Sequence, residues 1–270
     1  MQQLSTVADV VAAAGGDPQC VWVAQGLQTG GRAWEHAGAV AVACPGLCGR
    51  DRLVIRGPAV AAGALVREAI RVLGPSYVPI GDPGVTATLL DQIAWLEPGS
   101  SFFWMDGTQL PQQPPAHEAR WLARREWPAA DAVLTAAGAP PSFGRPGHPG
   151  VRRWAGISDA RGLLTSTAAD AWSAPGIGFV SGVAVRPEAR RSGQGRDICA
   201  FVIAALLAAH GRAALMVPDN GTAALSLCAG LGMSGRAQRM LRVVPAGLPL
   251  PRDAYDDAVL SRTSVPDGSR

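Results

Sequence analysis

The sequence predicts a mixed α/β fold, an α+β arrangement in which helices flank a central mixed sheet. Short apolar runs of strand length alternate along the chain with longer segments that have the apolar spacing of helices. Glycine and proline, with 33 and 22 residues, separate many of these segments and predict turns. About 48% of the 270 residues are hydrophobic, which is enough for a chain of this length to bury a sizeable core. Together these observations are typical of a layered α/β sandwich.

The composition excludes several classes of protein. The chain has 24 basic and 21 acidic side chains, and the resulting net charge of +3 does not favour a nucleic-acid partner. All of the basic side chains are arginine, which a GC-rich bacterial genome would explain. The longest apolar stretch, Cys199–Ala209, is shorter than the roughly 18 residues that a membrane-spanning helix needs. Met1–Gly16 lacks the basic start of a signal peptide. We therefore expect a cytoplasmic protein with no membrane partner.

The five cysteines predict reduced thiols rather than disulfides or a metal site. Their number is odd and their spacing irregular, in a chain with no export signal. Cys44 and Cys48 are separated by a turn that contains Pro45 and Gly46, and no second cysteine or histidine pair follows at a useful distance, so we expect no metal. The other three cysteines are Cys20, Cys199 and Cys228.

Residues 1–110 predict four strands and two helices. The helix at Ala59–Leu73 has the clearest signal, because its apolar residues recur at helical spacing and Gly74-Pro75 ends it. The other predicted elements are strands at Val21–Ala24, Ala37–Ala43, Leu53–Ile55 and Ser101–Met105 and a helix at Val85–Trp95.

Proline and glycine mark a boundary near the middle of the chain. Leu110–Pro115 has the composition of a linker, and Pro140–Gly150 is again rich in proline and glycine. Between these two segments, Glu118–Trp127 and Ala129–Ala137 predict helical turns. We therefore place a domain boundary in this region.

The signals sharpen after Val151. Arg152–Ile157 and Leu163–Trp172 predict a hairpin, because the residues between them, 158–162, favour a turn. Alternating strands and helices follow, in an order typical of a layered α/β domain. They are Phe179–Val185, Arg196–Ala209, Ala213–Val217, Thr222–Ala229 and Arg239–Val244, with a further strand at Ala258–Ser261 in the polar tail.

The segment from Val183 to Arg196 carries the strongest chemical signal. A strand runs into a proline turn, then into a loop of arginine, serine and glycine, and then directly into a long apolar helix. The first N–H groups of a helix have no intrahelical partner, and the helix dipole places partial positive charge there. Glycine lets the backbone approach a ligand closely. The pattern predicts an anion cradle suited to a pyrophosphate, formed by Arg190, Arg191, Ser192, Gly193, Gln194, Gly195 and Arg196.

The spacing in this segment excludes two common phosphate-binding motifs. The P-loop requires Gly-Lys-Ser/Thr, which is missing, and the dinucleotide motif requires a third glycine where Ile198 follows Gly193-Gln194-Gly195. The remaining alternative is a surface turn whose arginines are merely solvated. The strand before the loop and the apolar helix after it favour the cradle.

Two motifs in the second half resemble those of the Gcn5-related N-acetyltransferases (GNATs). The family's coenzyme A loop, Arg/Gln-x-x-Gly-x-Gly/Ala after a Val-x-Val-x-Pro strand, is matched by Arg190–Gly195 after Val183–Pro187. A second element, Asn-x-x-Ala followed by Leu-Tyr-x-x-x-Gly-Phe, is similar to Asn220–Met233. The resemblance covers Val151–Val244 and is strongest to the branch with a glycine-acyltransferase-like C-terminal half.

The resemblance implies a GNAT-type mixed sheet flanked by helices. Residues 141–270 would form the N-acyltransferase domain, and residues 1–140 a degenerate GNAT-like domain without a coenzyme A loop. In the second domain, the strand Phe179–Val185 would splay from Ala213–Val217 and open a V-shaped cleft. Acetyl-CoA or another acyl-CoA would be the co-substrate, with no metal.

The resemblance also implies roles for individual residues. Main-chain groups of Val183 and Val185 would pair with the pantetheine arm of the donor like an added strand. An N–H group near Val183 or Ala184 would polarise the thioester carbonyl. Residues 191–196 would hold the pyrophosphate, and Asn220 would contact the pantetheine or a bridging water.

The sequence departs from the family at the residue that protonates the leaving thiolate. Counted back from Gly232, Cys228 stands where the family has tyrosine, and the chain has one residue more between Asn220 and Gly232 than is usual. Three interpretations remain open: Cys228 is the acid, Cys228 is a packing residue and water or no acid serves, or catalysis is lost.

The general base is open as well. The strand Phe179–Val185 has no carboxylate, and Ser181 is its polar member. Asp170 on the neighbouring strand could act through a water molecule, although we expect a carboxylate at a strand end to be solvated. An α-amine, with a pKa of about 8, can also react without a dedicated base.

The sequence therefore predicts an acyl-CoA-dependent N-acyltransferase that moves an acetyl group from acetyl-CoA to an amine of a small molecule by direct attack. Another acyl-CoA, or an acyl group on an acyl carrier protein, is an alternative donor. The first half would shape the acceptor site or form a homodimer interface. The rival interpretation is a catalytically degenerate module that binds coenzyme A or a partner protein.

Overall fold

The computed structural model describes residues 1–110, 113–140 and 144–244. Twelve strands form one sheet in these ranges, and seven α-helices cover its two faces. The elements of the first half are β1 (Gln2–Leu4), α1 (Val7–Ala13), α2 (Pro18–Val23), β2 (Ala33–His36), β3 (Ala39–Leu47), β4 (Arg50–Arg56), α3 (Ala59–Leu73), β5 (Val78–Gly81), α4 (Pro83–Gln92) and β6 (Leu96–Gly107). Those of the second half are β7 (Arg120–Trp121), α5 (Trp127–Ala136), β8 (Val151–Ser158), β9 (Leu164–Ala171), β10 (Gly178–Val185), α6 (Gln194–His210), β11 (Ala213–Pro218), α7 (Thr222–Gly230) and β12 (Ser234–Val243).

The two halves exchange a strand at the centre of the sheet. The strand order is β1-β2-β3-β4-β5-β12-β6-β11-β10-β9-β8-β7. Strand β12 of the second half therefore lies between β5 and β6 of the first, and β6 lies between β12 and β11 of the second. Counted inwards from one edge, the strands are β1, β2, β3, β4, β5 and β12. Counted inwards from the other edge, they are β7, β8, β9, β10, β11 and β6, so each strand of one half has a counterpart at the same place in the other. The halves thus repeat one topology, and each completes the sheet of the other.

The core lies on both faces of this sheet. On the face covered by α1, α2 and α5, one apolar cluster runs across both halves. At its centre the ring of Trp22 stacks on Phe179, with 4.5 Å between ring centroids, and lies 5.3 Å from Trp104. On the opposite face, one cluster lies under α3 and α4 and another under α6 and α7. The shared cluster joins α2 directly to β6 and β10.

The structure confirms the predicted mixed α/β class and many of the predicted elements. Helix α3 has the predicted bounds and ends at Gly74, whose φ of 93° prevents a further helical turn. The predicted hairpin is the antiparallel pair β8–β9, and Asp159 fixes its turn by accepting hydrogen bonds from the N–H groups of Arg161 and Leu163, each at 2.9 Å. The strand predicted at Ala258–Ser261 lies outside the described residues.

Two predicted elements are wrong. Val21–Ala24, predicted as a strand, lies at the end of helix α2 and in the 3-10 turn after it. Local capping overrides the β-favouring residues, because the Asp17 carboxylate accepts hydrogen bonds from the first turn of α2 and Pro18 is its first residue. Glu118–Trp127, predicted as helical, contains the edge strand β7, which pairs with β8, and only a short 3-10 turn.

The sheet is continuous across the predicted domain boundary. Hydrogen-bonded strands connect residues on both sides of position 140, through the pairs β5–β12 and β6–β11. The assignment of 1–140 and 141–270 as separate domains stays a prediction. No helix in the described ranges is long and apolar enough to cross a lipid bilayer.

Candidate functional site

A cavity opens where β10 and β11 separate. These parallel strands pair only at Gly178–Ala213 and Phe179–Ala214 along their described lengths, and the rest of β10 diverges from β11. The opening has a volume of about 760 Å³, within the usual range for a small-molecule or cofactor site. Its described walls come from four places: the end of α5 (Ala137, Gly138, Ala139, Pro140), the end of β10 (Val183, Ala184, Val185), the loop and start of α6 (Ala189, Arg190, Arg191, Gly193, Gly195, Arg196) and one side of α7 (Ala223, Ala224, Ser226, Leu227, Gly230).

The start of α6 presents main-chain N–H groups to this cavity. Gly193 precedes the helix with a φ of 93°, a conformation that glycine adopts without strain. The amides of Arg196 and Asp197 donate to the Gly193 carbonyl at 3.0 and 3.1 Å, and these bonds begin the helical ladder. The amides of Gln194 and Gly195 come before it and lack intrahelical acceptors. These two amides can donate hydrogen bonds to an anion, and the helix dipole favours negative charge at the same point.

Arginines surround the same point. Arg190 donates to the carbonyls of Val185, at 3.4 Å, and Ala137, at 3.1 Å, so it ties the end of β10 to the end of α5. Arg196 bonds Gln113 and lies 3.5 Å from the Asp197 carboxylate. Arg191 is exposed and lines the cavity. The cavity mouth is therefore positively charged.

A bulge interrupts β10 beside the cavity. Ser181 pairs with Ala169 and Ala184 with Thr167, so two residues of β10 oppose one of β9. Such a bulge leaves a main-chain residue without a ladder partner. Gly182, within the bulge, has a φ of 61°, and a Cβ atom there would lie 2.4 Å from Cη2 of the buried Trp154 ring. Only glycine fits this position.

Eight of the eleven predicted donor-binding residues line the cavity, and three do not. The Ser192 hydroxyl donates to the Ala189 carbonyl at 2.7 Å, which closes the loop on itself. The buried Gln194 side chain accepts from the Thr165 hydroxyl at 2.8 Å and anchors α6 to β9. Asn220 is exposed, in the turn before α7, outside the described cavity wall. The eight are Val183, Ala184, Val185, Arg190, Arg191, Gly193, Gly195 and Arg196.

The thiol of Cys228 faces the core. The residue is 3% exposed and belongs to the apolar cluster under α6 and α7, which also contains Cys199. Burial raises the pKa of the Cys228 thiol to about 11. Cys228 does not form part of the described cavity wall. This placement argues against the acid role and favours the packing role.

Both predicted base residues are engaged in hydrogen bonds elsewhere. Asp170 is 4% exposed, so the expectation of a solvated carboxylate is wrong. The Ser173 hydroxyl donates to one of its oxygens at 2.6 Å, and Arg153 Nε donates to the other at 3.2 Å. The Ser181 hydroxyl accepts from the Gly144 N–H at 3.1 Å. These contacts connect strands and loops, and neither residue lines the described cavity.

The sequence analysis missed two parts of the wall. Residues 137–140 enter it because α5 ends at Ala136 and Gly138 turns the chain, with a φ of 70°. Ser226 brings a hydroxyl group from α7. Counting the second family motif back from Gly230 instead of Gly232 would have selected Ser226 in place of Cys228.

The described residues contain no group of three or more histidine, cysteine, aspartate or glutamate side chains placed to hold a metal ion. The cysteines among them are all free thiols. The hydrogen-bond donors along the described cavity wall include main-chain amides, guanidinium groups and the Ser226 hydroxyl, and the first two are suited to binding anions.

Comparison with known proteins shows similarity of fold at low sequence identity. No family model matches the chain, and no curated protein matches it. A GCN5-related N-acetyltransferase from Kribbella flavida is similar over 88% of this chain and 96% of its own, with 21% identity and a TM-score of 0.57. A GCN5-related N-acetyltransferase-like protein from Streptococcus suis is similar over 86% and 96%, with 12% identity and a TM-score of 0.51.

A third structure is a tandem GNAT protein from the clavulanic acid biosynthesis pathway. It is similar over 90% of this chain and 95% of its own, with 13% identity and a TM-score of 0.50. These similarities extend over both halves of the chain, whereas the motifs of the sequence cover only the second. The glycine-acyltransferase-like branch stays a prediction. The chain has the fold of the Gcn5-related N-acetyltransferases, in a tandem form in which two halves share one sheet.

Proposed function

We propose that the protein is an acyl-CoA-dependent N-acyltransferase that transfers an acetyl group from acetyl-CoA to an amine of a small molecule. The observation that supports this most strongly is the cavity between β10 and β11, with the amide-rich start of α6 and three arginines at its mouth. A diphosphate would accept hydrogen bonds from the amides of Gln194 and Gly195. The pantetheine arm would run along the free edge of Val183–Val185.

The reaction needs few groups from the protein. The amine nitrogen attacks the thioester carbonyl carbon, and the carbonyl oxygen takes up the negative charge. A main-chain N–H near Val183 or Ala184, at the β10 bulge, would stabilise that oxyanion. The carbon–sulfur bond then breaks, the thiolate takes a proton from water or through the Ser226 hydroxyl, and the new amide nitrogen loses its extra proton to solvent.

One observation favours a second candidate, a module that binds coenzyme A without turnover. The thiol of Cys228 is buried, and Asp170 and Ser181 are bound elsewhere. Direct attack by an amine that is already neutral does not require these groups. The enzyme therefore remains our first proposal, and turnover separates the two candidates.

The test uses calorimetry with coenzyme A, followed by thiol release from acetyl-CoA with a panel of amines. We expect Gly195→Leu to raise the Kd by at least about tenfold, because the leucine side chain would extend between Val185 and Leu227 into the cavity. Gly84→Leu, at the same second position of helix α4 in the other half, is the matched control and should bind as the wild type does. Binding without turnover would select the module, and no binding at all would reject both candidates.

A further inference from the structure

The segment that connects the two halves crosses the start of α6. Asp197, in the first turn of α6, is 4% exposed. One oxygen of its carboxylate accepts from the main-chain N–H groups of Ala116, at 3.1 Å, and His117, at 3.0 Å. The same oxygen lies 2.8 Å from Nδ1 of the His117 imidazole. These contacts fix both the backbone and the ring of His117.

This hydrogen bond determines which nitrogen of the ring is free. An ionised carboxylate can only accept a hydrogen bond, so Nδ1 of His117 carries the proton and donates it. In the neutral imidazole, Nε2 is then an acceptor. When the ring is protonated, Nε2 becomes a charged donor. His117 therefore presents a group whose hydrogen-bonding role reverses with pH.

The ring lies beside the anion cradle. Its Cε1 atom, which is bonded to Nε2, is 3.8 Å from the position that a Cβ atom would take on Gly193. Gly193 belongs to the cradle and lines the cavity. Asp197 contacts the ring, and Arg196 lies 3.5 Å from the Asp197 carboxylate. In the sequence, Arg190 and Arg191 come shortly before Gly193, and Glu118 follows His117. The contact with Asp197 holds the imidazole in place beside the loop.

We propose that His117 is a binding residue for a phosphate group of the acyl-CoA donor, through Nε2 of the protonated imidazole. This proposal rests on the proposed function, because it requires a phosphate-bearing donor in the cradle. It assigns a ligand contact to the connecting segment, outside the two motifs of the sequence. It also makes donor binding depend on pH. A neutral ring would face the phosphate with a lone pair, whereas a protonated ring adds a charge-assisted hydrogen bond.

The sign of the pH dependence follows from linkage. A bound phosphate favours the protonated ring, so the complex takes up a proton, and the gain in affinity is present at low pH and is lost as pH rises. One charge-assisted hydrogen bond corresponds to about a tenfold change in Kd. A phosphate monoester of the donor also changes its charge near about pH 6. The contribution of His117 is therefore the difference in pH dependence between the wild type and the His117 variants.

The experiment is calorimetric titration with coenzyme A and with dephospho-CoA between about pH 5.5 and about pH 8.5. His117→Asn keeps a donor at the Nδ1 position for Asp197 and removes Nε2. His117→Gln places a neutral amide donor near Nε2. We expect the Kd of the wild type to rise about tenfold more across this range than that of His117→Asn, and His117→Gln to bind at high pH at least as tightly as the wild type, with no such rise.

The outcomes separate the inference from the proposed function. Dephospho-CoA lacks the phosphate monoester, so a pH effect of equal size with this compound assigns the contact to the diphosphate. A pH effect confined to coenzyme A assigns the contact to the 3′-phosphate. Either result supports the proposal. If the wild type binds with the pH dependence of His117→Asn, the contact is overturned and the donor site stands. If the wild type binds neither compound at any pH, the proposed function itself fails. Thermal unfolding of both variants controls for the loss of the Asp197 contact.

Discussion

The two halves have the same topology and differ at the connection between the fourth strand and the following helix. In the first half, β4 reaches α3 through Gly57 and Pro58 alone. In the second half, residues 186–193 separate β10 from α6 and form the loop with the arginines. Pro58 precedes α3 without a side-chain cap and brings no N–H group of its own. The anion cradle is thus a property of one connection, and the repeated topology does not by itself create a donor site.

A second difference lies within the strands. Arg52 pairs with the first residue of β5, and Gly178 pairs with the first residue of β11. Four residues further along, the first half has Arg56 and the second has Gly182, at the bulge. Where the second half opens, the first half carries a guanidinium group. Strand β4 pairs with β5 over three residues, against two for β10 and β11, so we call the first half closed and the second half open.

Arg56 belongs to a polar network that joins the halves. It donates to Asp17 at 3.1 Å and to Gln238 of β12 at 2.9 Å, and it also bonds Gln19. Arg236, also on β12, donates to the same Asp17 oxygen at 2.5 Å. Although burial acts in the opposite direction, the two arginines and the amides of α2 hold the pKa of Asp17 below its usual value. The closed half thus uses arginine for stability, while the open half uses it at the cavity.

The largest effect is expected from breaking this network. Asp17→Ala should lower the free energy of unfolding by about 3 kcal/mol, because it leaves two guanidinium groups without their carboxylate and removes the cap of α2. The matched control, Asp82→Ala, removes only the cap of α4 and should cost about 1 kcal/mol. Urea unfolding followed by circular dichroism measures both.

The same variant gives a test of pH dependence. Because the pKa of Asp17 is lowered in the folded state, its contribution is present above the usual value of about 4 and is lost as pH falls through the folded pKa. The stability difference between the wild type and Asp17→Ala should therefore shrink in acid. A difference that stays constant down to about pH 2 would remove the ion pairs from the explanation.

A smaller effect on stability, with a larger one on turnover, is expected at the bulge of the open half. Gly182→Ala should destabilise the protein by about 2 kcal/mol, because its Cβ would clash with Trp154 and its φ of 61° disfavours a side chain. Turnover should fall by roughly 100-fold as the bulge N–H shifts. Adding Trp154→Phe removes the clashing atoms and should restore part of both. Full activity in Gly182→Ala alone would exclude the bulge from the reaction.

The smallest effect is expected at Cys228. Cys228→Ala should lower stability by about 1 kcal/mol, since it leaves a small void under α6 and α7, and it should leave kcat unchanged. Steady-state kinetics with acetyl-CoA and an accepted amine check this. A fall in kcat with an unchanged KM would restore Cys228 as the acid. Ser226→Ala is the comparison on the side of α7 that faces the cavity.

The sequence was sufficient for features that depend on short segments. The cradle around Gly193 follows from one loop, and α3 from its periodicity and Gly74. Features that depend on distant parts of the chain could not be predicted. Cys228 and Ser226 are two residues apart on one short helix, and only its packing decides which of them faces the cavity. The repeat of topology leaves no repeat at a fixed period in the sequence, because the connections differ in length.

The place of β12 has a consequence for how the polypeptide is made. The gap between β5 and β6 is filled by a strand that the ribosome synthesises more than a hundred residues after them. Until then, β5 and β6 present unpaired edges of the kind that recruits other chains. Such distant pairing closes slowly, so the nascent polypeptide passes through an aggregation-prone interval, and we expect its yield in cells to depend on chaperones.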